Sequence, residues 1–269
     1  CKIGEVVVVG GVRRSAMISL SNINDIEMAA AKSGNWWENN TQRALSNNSV
    51  AYSRKPDMEQ FIAEWKSLYD SKSGERGIYN VAAAQRQAAK YGRRDPEIHY
   101  GTNPCSEIIL RPYQFCNLSE VVIREKDTVE EIKNKVRLAT ILGTWQSTLT
   151  DFKYLRKIWK DNTEEERLLG VSLTGIMDNS LTNGKTKGIE NLLEDLKAHA
   201  VKVNKEWASK LGINQSVAIT CVKPSGTVSQ LVDAASGIHA RHNPFYIRTV
   251  RGDKKDPLTK MMTDMGFPV

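Results

Sequence analysis

The chain has 269 residues, 40% of them apolar and 26% charged, with a formal net charge of +7 from 38 basic and 31 acidic side chains. That length suffices for a sizeable core in one large α/β domain or two smaller ones, and the composition is that of an ordinary globular protein rather than a disordered or fibrous one. No apolar run approaches the roughly 20 residues that span a bilayer, and the lysines are spread out rather than clustered with aromatics, so neither a membrane nor a nucleic acid is an expected partner.

The four cysteines, Cys1, Cys105, Cys116 and Cys221, form no CxxC pair and no Cys/His ligand spacing. No metal site is expected from them, nor a secreted disulfide scaffold. A cytoplasmic protein with transient, functional disulfide chemistry is the expectation. No signal peptide is visible. The first residue is Cys1 rather than Met and the last stretch is "MGFPV". Both ends read as cut, so the chain is expected to be an interior piece of a longer protein.

In chain order, "EVVVVGGVRRSAMISL" reads as two β-rich runs joined by a glycine-arginine turn. "NDIEMAAAKS" reads as a short helix starting near Asn24 or Asp25, and "SNNSVAYS" as a turn followed by a short strand. Residues 57–69 carry helical apolar spacing at Met58, Phe61, Ile62, Trp65 and Leu68. Residues 81–91 are alanine-rich and helical. "GRRDPEIHYGTNPC" reads as loop, and "SEIILRPY" and "NLSEVVI" as extended. Residues 128–150 form a strong helix opened by the capping-box sequence "TVEE". Further helices are expected over 164–179 and 189–211. "QSVAITCV" reads as a buried strand, and "VSQLVDAAS" as a helix after the "KPSGT" turn. Strands alternating with helices predict an α/β architecture with mostly parallel strands.

Three stretches could carry chemistry. The first is "NPCSEIILRPYQFCNL". In an extended segment, side chains two apart share a side, so Asn103, Cys105 and Glu107 would offer an amide, a sulfur and a proton acceptor to one small ligand. Cys116 comes within reach if the chain turns at Pro112. A cysteine hydrolase would need a histidine base, and nothing local orients His99, the nearest in sequence. The plainer alternative is that both cysteines are small core residues. The second stretch is "CVKPSGTVSQL", where a strand ends, a turn follows and a helix begins. Backbone N–H groups, two hydroxyls, a close-approach glycine and Lys223 would make an anion site, although no Walker pattern is present. A simply capped helix start is the alternative. The third is "GGVRRSA", whose glycines permit flexing and whose arginines could meet phosphate or a base edge. A solvated surface turn is the plainer alternative, and on these residues alone the favoured one.

Taken together and in this order, "GGVRRSA", "NPCSEI", "FCNLSEV" and "KPSGTVSQLVDAASGIHARHNPFYIRTVR" closely resemble the catalytic subunit of ribonucleotide reductases, with the best match to the class II, adenosylcobalamin-dependent branch. "SNNSVAY", "GIYN" and "ERLLGVSLTGIMD" support the match, which runs from "GGVRRSA" to about Arg251. The resemblance implies replacement of a ribonucleotide 2′-hydroxyl by hydrogen through radical chemistry. It implies that Cys105 becomes a thiyl radical and takes the 3′-hydrogen. Glu107 would accept the 3′-OH proton and Asn103 would hold the ribose hydroxyls. Cys116 would be one of two reducing thiols that end as a disulfide, its partner lying upstream of "GGVRR". Cys1 is out of place for that partner, and Cys221 is expected in the core.

By the same resemblance, Pro224, Ser225, Gly226 and Thr227, with Ser106, would bind substrate. Gly10, Gly11, Arg13 and Arg14 would belong to a specificity loop between an allosteric deoxynucleotide and the substrate base. The implied fold is a ten-stranded α/β barrel of two parallel five-stranded halves, with "NPCSE" on a central, buried finger loop in a single catalytic barrel domain covering residues 1–269 and truncated at both ends. The implied partners are a ribonucleoside di- or triphosphate, dNTP or ATP effectors, a thioredoxin- or glutaredoxin-type reductant and a second copy of the chain in a homodimer. The alternatives are a class I large subunit, with its radical from a separate metal-containing subunit, and a catalytically inactive nucleotide-binding regulatory module.

Overall fold

A computed structural model describes residues 16–247, 249 and 256–268. The specificity-loop residues Gly10, Gly11, Arg13 and Arg14, and Cys1, lie outside the described residues. The chain divides into two compact units, one of Cys1–Gln87 with Tyr246–Val269 and the other of Ala88–Phe245.

In the first unit, strands β1 (Met17–Ser21), β2 (Ser46–Tyr52) and β3 (Gly77–Asn80) form a parallel sheet in the order β1-β2-β3. Parallel neighbours need crossovers. The first runs through the short helices α1 (Ile26–Ala29) and α2 (Trp36–Asn39), and the second through α3 (Met58–Ser71). Asp25 and Asp57 cap α1 and α3, their carboxylates accepting the N–H groups of Met28 and Gln60. This satisfies donors that a helix start leaves unpaired. The guanidinium of Arg76 binds Glu64 of α3 and donates to the Ser21 hydroxyl and the Ile23 carbonyl, at 2.9 and 3.0 Å. Helix α4 (Val81–Ala89) follows β3 directly.

In the second unit, β4 (Gly101–Thr102) pairs antiparallel with β5 (Ile109–Leu110), and β6 (Cys116–Val122) pairs parallel with β7 (Leu168–Thr174). Helix α5 (Val129–Gln146) connects these last two, followed by α6 (Lys157–Glu166). The expected capping box is present: Thr128 and Glu131 exchange side-chain and backbone hydrogen bonds. Helix α7 (Ile189–Leu211) has the expected limits and ends on Gly212 in the left-handed region, the usual glycine stop. Val121, Ile123, Leu169, Val171 and Ile219 pack on Ile132, Val136 and Ala139 of α5 and on Leu196 and Ala200 of α7. Each such large apolar side chain contributes about 1.5–3 kcal/mol on burial. The opposite face of β6–β7 carries Cys116, Leu118 and Glu120 of β6 and Gly170 and Ser172 of β7.

Three expectations are corrected. Residues 164–179 are not one helix: α6 ends at Glu166, Arg167 turns in the left-handed region, and Leu168–Thr174 is β7. A parallel strand buried on both faces is a continuous apolar run that lacks alternation and so mimics a helix. The "QSVAITCV" stretch joins β7 only through a Val171–Thr220 bridge and flanking backbone bonds. The helix after "KPSG", α8 (Thr227–Leu231), stops after five residues, because Asp233 takes a positive φ of 48° and turns the chain back. The last described helix, α9 (Pro257–Asp264), starts on the Asp256 cap with Pro257 at its first position, where a missing N–H costs nothing. The described architecture is mixed α/β with small parallel sheets.

Candidate active site

Residues 103–108 connect β4 and β5 as a tight loop. The Asn103 side-chain oxygen accepts the Ile108 N–H at 2.9 Å, the Asn103 carbonyl accepts the Ser106 N–H at 2.9 Å, and Ser106 has φ 64°. Asn103, Cys105 and Glu107 therefore do not share a strand face by alternation, as an extended segment would have required. A short polar side chain that bonds nearby backbone competes with strand formation, and here it wins. Cys105 and Ser106 at the tip are exposed, whereas Asn103 and Glu107 are half-buried and Ile108 is buried. The expectation of a buried finger loop in a closed barrel centre is thus not met at Cys105. Its exposure follows from the loop's anchoring: only the return leg, from Glu107 on, packs inward.

The return leg packs on the face of β6–β7 opposite α5 and α7. Gly170 of β7 shows the convergence. A Cβ there would lie 2.4 Å from Leu118 Cδ2, 3.0 Å from Ile108 Cδ1 and 3.1 Å from Cys221 Sγ. Only a glycine leaves room for the loop, β6 and Cys221 to meet over β7. Strand alternation puts Cys116, Leu118 and Glu120 on this same face. Cys116 is half-buried, and burial, then the nearby Glu107 carboxylate, push its thiol up to about 11. The chain does turn after Pro112, with Tyr113 at φ 56°, and this brings Cys116 into electrostatic range of Glu107. One Glu107 oxygen, Oε2, is buried without a hydrogen-bond partner.

Cys221, expected in the core, is half-buried on the Gly170 side, its thiol pushed up to about 12 by burial, then by Glu107 and Cys116. Two thiols that hold their protons through the neutral range suit hydrogen donation rather than nucleophilic attack. The signal for this placement exists only in the register. Neither the thiol-bearing face of β6 nor the position of 221 along β7 can be read before the strands are paired.

The turn at 223–227 leaves this face directly. The Lys223 N–H donates to Ser172 Oγ at 2.9 Å. Ser229 Oγ donates to the Ser225 carbonyl at 2.6 Å and to the Gly226 carbonyl at 2.8 Å, and Ser236 Oγ also donates to the Ser225 carbonyl. Pro224, Gly226 and Thr227 are exposed, while Ser225 is 1% exposed and its hydroxyl has no partner. An orphaned buried hydroxyl costs about 1–3 kcal/mol, so the turn fits a ligand that brings hydrogen-bonding groups. Helix α8 is too short for its dipole to dominate, and the exposed turn backbone is the better anion donor set. A bracket of charges holds the far side. Arg241 Nε donates to Asp178 Oδ1 at 2.9 Å and its Nη1 to Asp233 Oδ1 at 2.7 Å. The Arg241 pKa is driven upward by these two carboxylates, and that of Asp233 downward by the arginine.

Among the described residues no group of three or more His, Cys, Asp or Glu could hold a metal ion, and no helix is long and apolar enough to cross a membrane.

Comparison with known proteins bears on this arrangement. No family model matches the chain. The chain is 29% identical over 295 residues to an adenosylcobalamin-dependent ribonucleoside-triphosphate reductase of Lacticaseibacillus paracasei, covering 99% of this chain and 38% of that protein. It is 32% identical over 299 residues to the protein of the same name from Lactobacillus gasseri, with 98% and 38% covered. The chain thus spans a little over a third of the length of these relatives. Its fold is similar to that of a B12-dependent, class II ribonucleotide reductase crystal structure, with a TM-score of 0.67 and 26% identity over 88% of this chain and 35% of that one. The fold of an Actinobacillus ureae class Id ribonucleotide reductase alpha subunit is also similar, with a TM-score of 0.62 at 14% identity over 97% of this chain and 54% of that one.

A thiol-bearing parallel sheet, a hairpin loop over one of its faces and a serine-glycine turn at its edge thus occur in a chain whose relatives are nucleotide-reducing enzymes. In sequence and in fold the chain is similar to members of the ribonucleotide reductase family. Within that family its likeness in sequence and in fold is to the adenosylcobalamin-dependent, class II branch.

Proposed function

We propose that the protein reduces ribonucleotides to 2′-deoxyribonucleotides with oxidation of two thiols to a disulfide and release of water. The observation that carries this reading is the convergence of Glu107 and Cys116 on one sheet face that runs straight into the 223–227 turn. The names of the relatives favour a ribonucleoside triphosphate as the substrate, with a diphosphate the alternative.

We assign the roles that the resemblance implies, and the placement of several of these residues supports them. The turn Pro224–Thr227 holds the phosphates through its exposed backbone and the Ser225 hydroxyl. Asn103 closes its own loop with its carbonyl oxygen and keeps its amide nitrogen for a ribose hydroxyl. Ser106 lies beside it at the loop tip. Glu107 keeps one buried oxygen without a donor, which suits it to accept the 3′-OH proton. Cys105 takes the 3′-hydrogen as a thiyl radical. Cys116, protonated up to about pH 11, delivers hydrogen to the 2′ position and becomes half of the disulfide.

Adenosylcobalamin is the radical source we assign to the complete protein, and when bound it supplies a carbon-centred radical by homolysis of its cobalt–carbon bond. The fit rests on Cys105, whose exposure at the loop tip lets a generator outside the loop reach the sulfur. No described residue is assigned as a ligand of that cofactor. The class I alternative is less favoured, because the class Id likeness is one of fold alone.

In the complete protein we expect both units in one ten-stranded α/β barrel domain, residues Gly10, Gly11, Arg13 and Arg14 in a specificity loop answering to dNTP or ATP, a thioredoxin- or glutaredoxin-type reductant, a homodimer and a cytoplasmic setting. The test is an assay of the complete protein with ribonucleoside triphosphate and dithiol, with and without adenosylcobalamin. Deoxynucleotide formation that depends on the cofactor supports the reading. Formation without it would move the protein to class I, and nucleotide binding without turnover would make it a regulatory module.

A further inference from the structure

Glu120 is the charged residue of the thiol-bearing face to which the proposed reaction gives no task. It lies on the same face of β6 as Cys116, four residues nearer the strand end. Its register partner is Ser172, the residue whose hydroxyl accepts the Lys223 N–H. Glu120 therefore stands where the sheet gives way to the 223–227 turn. Both of its carboxylate oxygens are buried, and neither has a hydrogen-bond partner.

Carboxylate oxygens left buried without donors are unfavourable, so their position is understandable if a donor reaches them in some state of the protein. Lys223 brings a cation to this edge, its backbone bonded to the register partner of Glu120, whereas Arg124, four residues along the chain from Glu120, is engaged with the Val232 and Asp233 carbonyls. The Lys223 side chain is half-buried, and its ammonium makes no hydrogen bond or ion pair among the described residues. Cys221 lies within electrostatic range of both groups, Lys223 lowering its pKa and Glu120 raising it. An ammonium has three donors on a flexible stem. It can serve one carboxylate and still give two bonds to phosphate oxygens.

We propose that Glu120 is a positioning residue for the nucleotide: it accepts a hydrogen bond from the Lys223 ammonium and so aims that ammonium at the substrate's phosphates. Glu120 touches no substrate atom and acts through the lysine. This rests on the reading of residues 224–227 as the phosphate turn. Without Glu120 the lysine swings freely, and ordering it costs binding free energy. The ground state and the transition state are weakened alike, because the phosphates do not take part in the reaction.

The test is steady-state reduction of a ribonucleoside triphosphate by the complete protein with its cofactor and dithiol. We compare wild type, Glu120→Gln, Lys223→Met and the double variant. Expected is a KM raised roughly tenfold in Glu120→Gln, the size of one charge-assisted hydrogen bond, with kcat within about twofold. Lys223→Met should do the same or more, and the double variant should be no worse than Lys223→Met alone. Glu120→Asp, which keeps the charge on a shorter stem, should recover part of the loss. If the Gln variant melts early, Glu120→Met, similar in length and apolar, replaces it in the same comparison. Unchanged KM in the Glu120 variants, additive losses in the double variant, or a fall in kcat at constant KM would each overturn the proposal. A wild-type protein that reduces no ribonucleotide would instead overturn the functional reading beneath it.

Discussion

Arg94 and Glu166 meet at 2.8 Å with each side chain only 6% exposed, and this pair anchors the loop that carries Cys105. Arg94 also donates to the carbonyl of Ile109 in β5 at 2.9 Å and stacks its guanidinium over Tyr100, while Gln114 donates to the same Glu166 carboxylate. One buried ion pair thus ties both legs of the hairpin to the end of α6. Removing one partner leaves a buried charge alone, at a cost of about 3–5 kcal/mol, whereas replacing both by apolar residues costs far less. We expect Arg94→Met to destabilise the chain by about that much in urea unfolding, and Arg94→Met with Glu166→Leu to recover most of it. Equal losses in the single and double variants would show that the pair is not the anchor.

The phosphate turn depends on a glycine farther along the chain, Gly237. It has φ 54°, and a Cβ on it would come 2.9 Å from the Lys223 carbonyl. Its N–H donates to Thr174 Oγ1 at 2.9 Å. Gly237→Ala combines left-handed strain with a clash against turn backbone that has no side-chain freedom to yield. In the complete protein we expect it to weaken nucleotide binding roughly tenfold or more, by calorimetry, with a small loss of overall stability. Wild-type affinity would mean that the turn does not hold the phosphates.

Gly175 gives the matching structural control. It has φ 77°, and an added Cβ would lie 2.3 Å from the Ile123 carbonyl oxygen. Gly175→Ala is expected to cost about 2 kcal/mol or more in unfolding experiments, because both the strain and the contact involve backbone. A loss below about 0.5 kcal/mol would contradict the β7 end geometry.

Much of this is legible in the sequence where local chemistry decides structure. The Thr128–Glu131 box starts α5, and Gly212 ends α7, because caps and stops act within one turn. The thiols and the turn are visible as residue types. Strand β7 is not, since "LLGVSLT" is apolar on both faces and carries no period of two. The 103–108 loop escapes an extended reading because the Asn103 side chain, bonded to Ile108, overrides strand geometry. Cys221 and Glu120 gain their meaning only from the pairing of Cys116–Val122 with Leu168–Thr174, which is a long-range fact.

The cysteines differ in what they offer to a reagent. Cys105 is exposed, whereas Cys116 and Cys221 are half-buried, with thiols pushed up to about 11 and about 12. Thiolate is the reactive form. Alkylation of Cys116 and Cys221 by iodoacetamide should therefore stay slow at pH 8 and accelerate only as pH approaches those values. The linkage sign agrees. A thiol whose folded pKa lies above its unfolded value, about 8.5, contributes stability that is fully present below the unfolded value and is lost as pH rises through the folded one. Base unfolding should thus set in between about pH 9 and 12 and should be delayed in Cys116→Ala. Peptide mapping that finds Cys116 labelled as fast as Cys105 at pH 8 would refute the burial of its sulfur.

Single serine substitutions in the complete protein separate the three thiols by role. Serine keeps the size and a donor but cannot carry a sulfur radical or form a disulfide. Cys105→Ser should abolish reduction, with a loss of at least ~10³-fold in kcat, while the turn, untouched, still binds ribonucleotide. Cys116→Ser should also stop sustained turnover, because no disulfide can form at that position. Cys221 is near both Glu107 and Cys116 yet has no part in the proposed electron balance, so Cys221→Ser should keep kcat within about threefold. Burial makes its hydroxyl a mild cost to stability and nothing more. Product yield, counted per enzyme without added dithiol, distinguishes these cases. A Cys221→Ser variant as inactive as Cys105→Ser would place the third thiol in the reaction, and an active Cys105→Ser would remove the thiyl assignment.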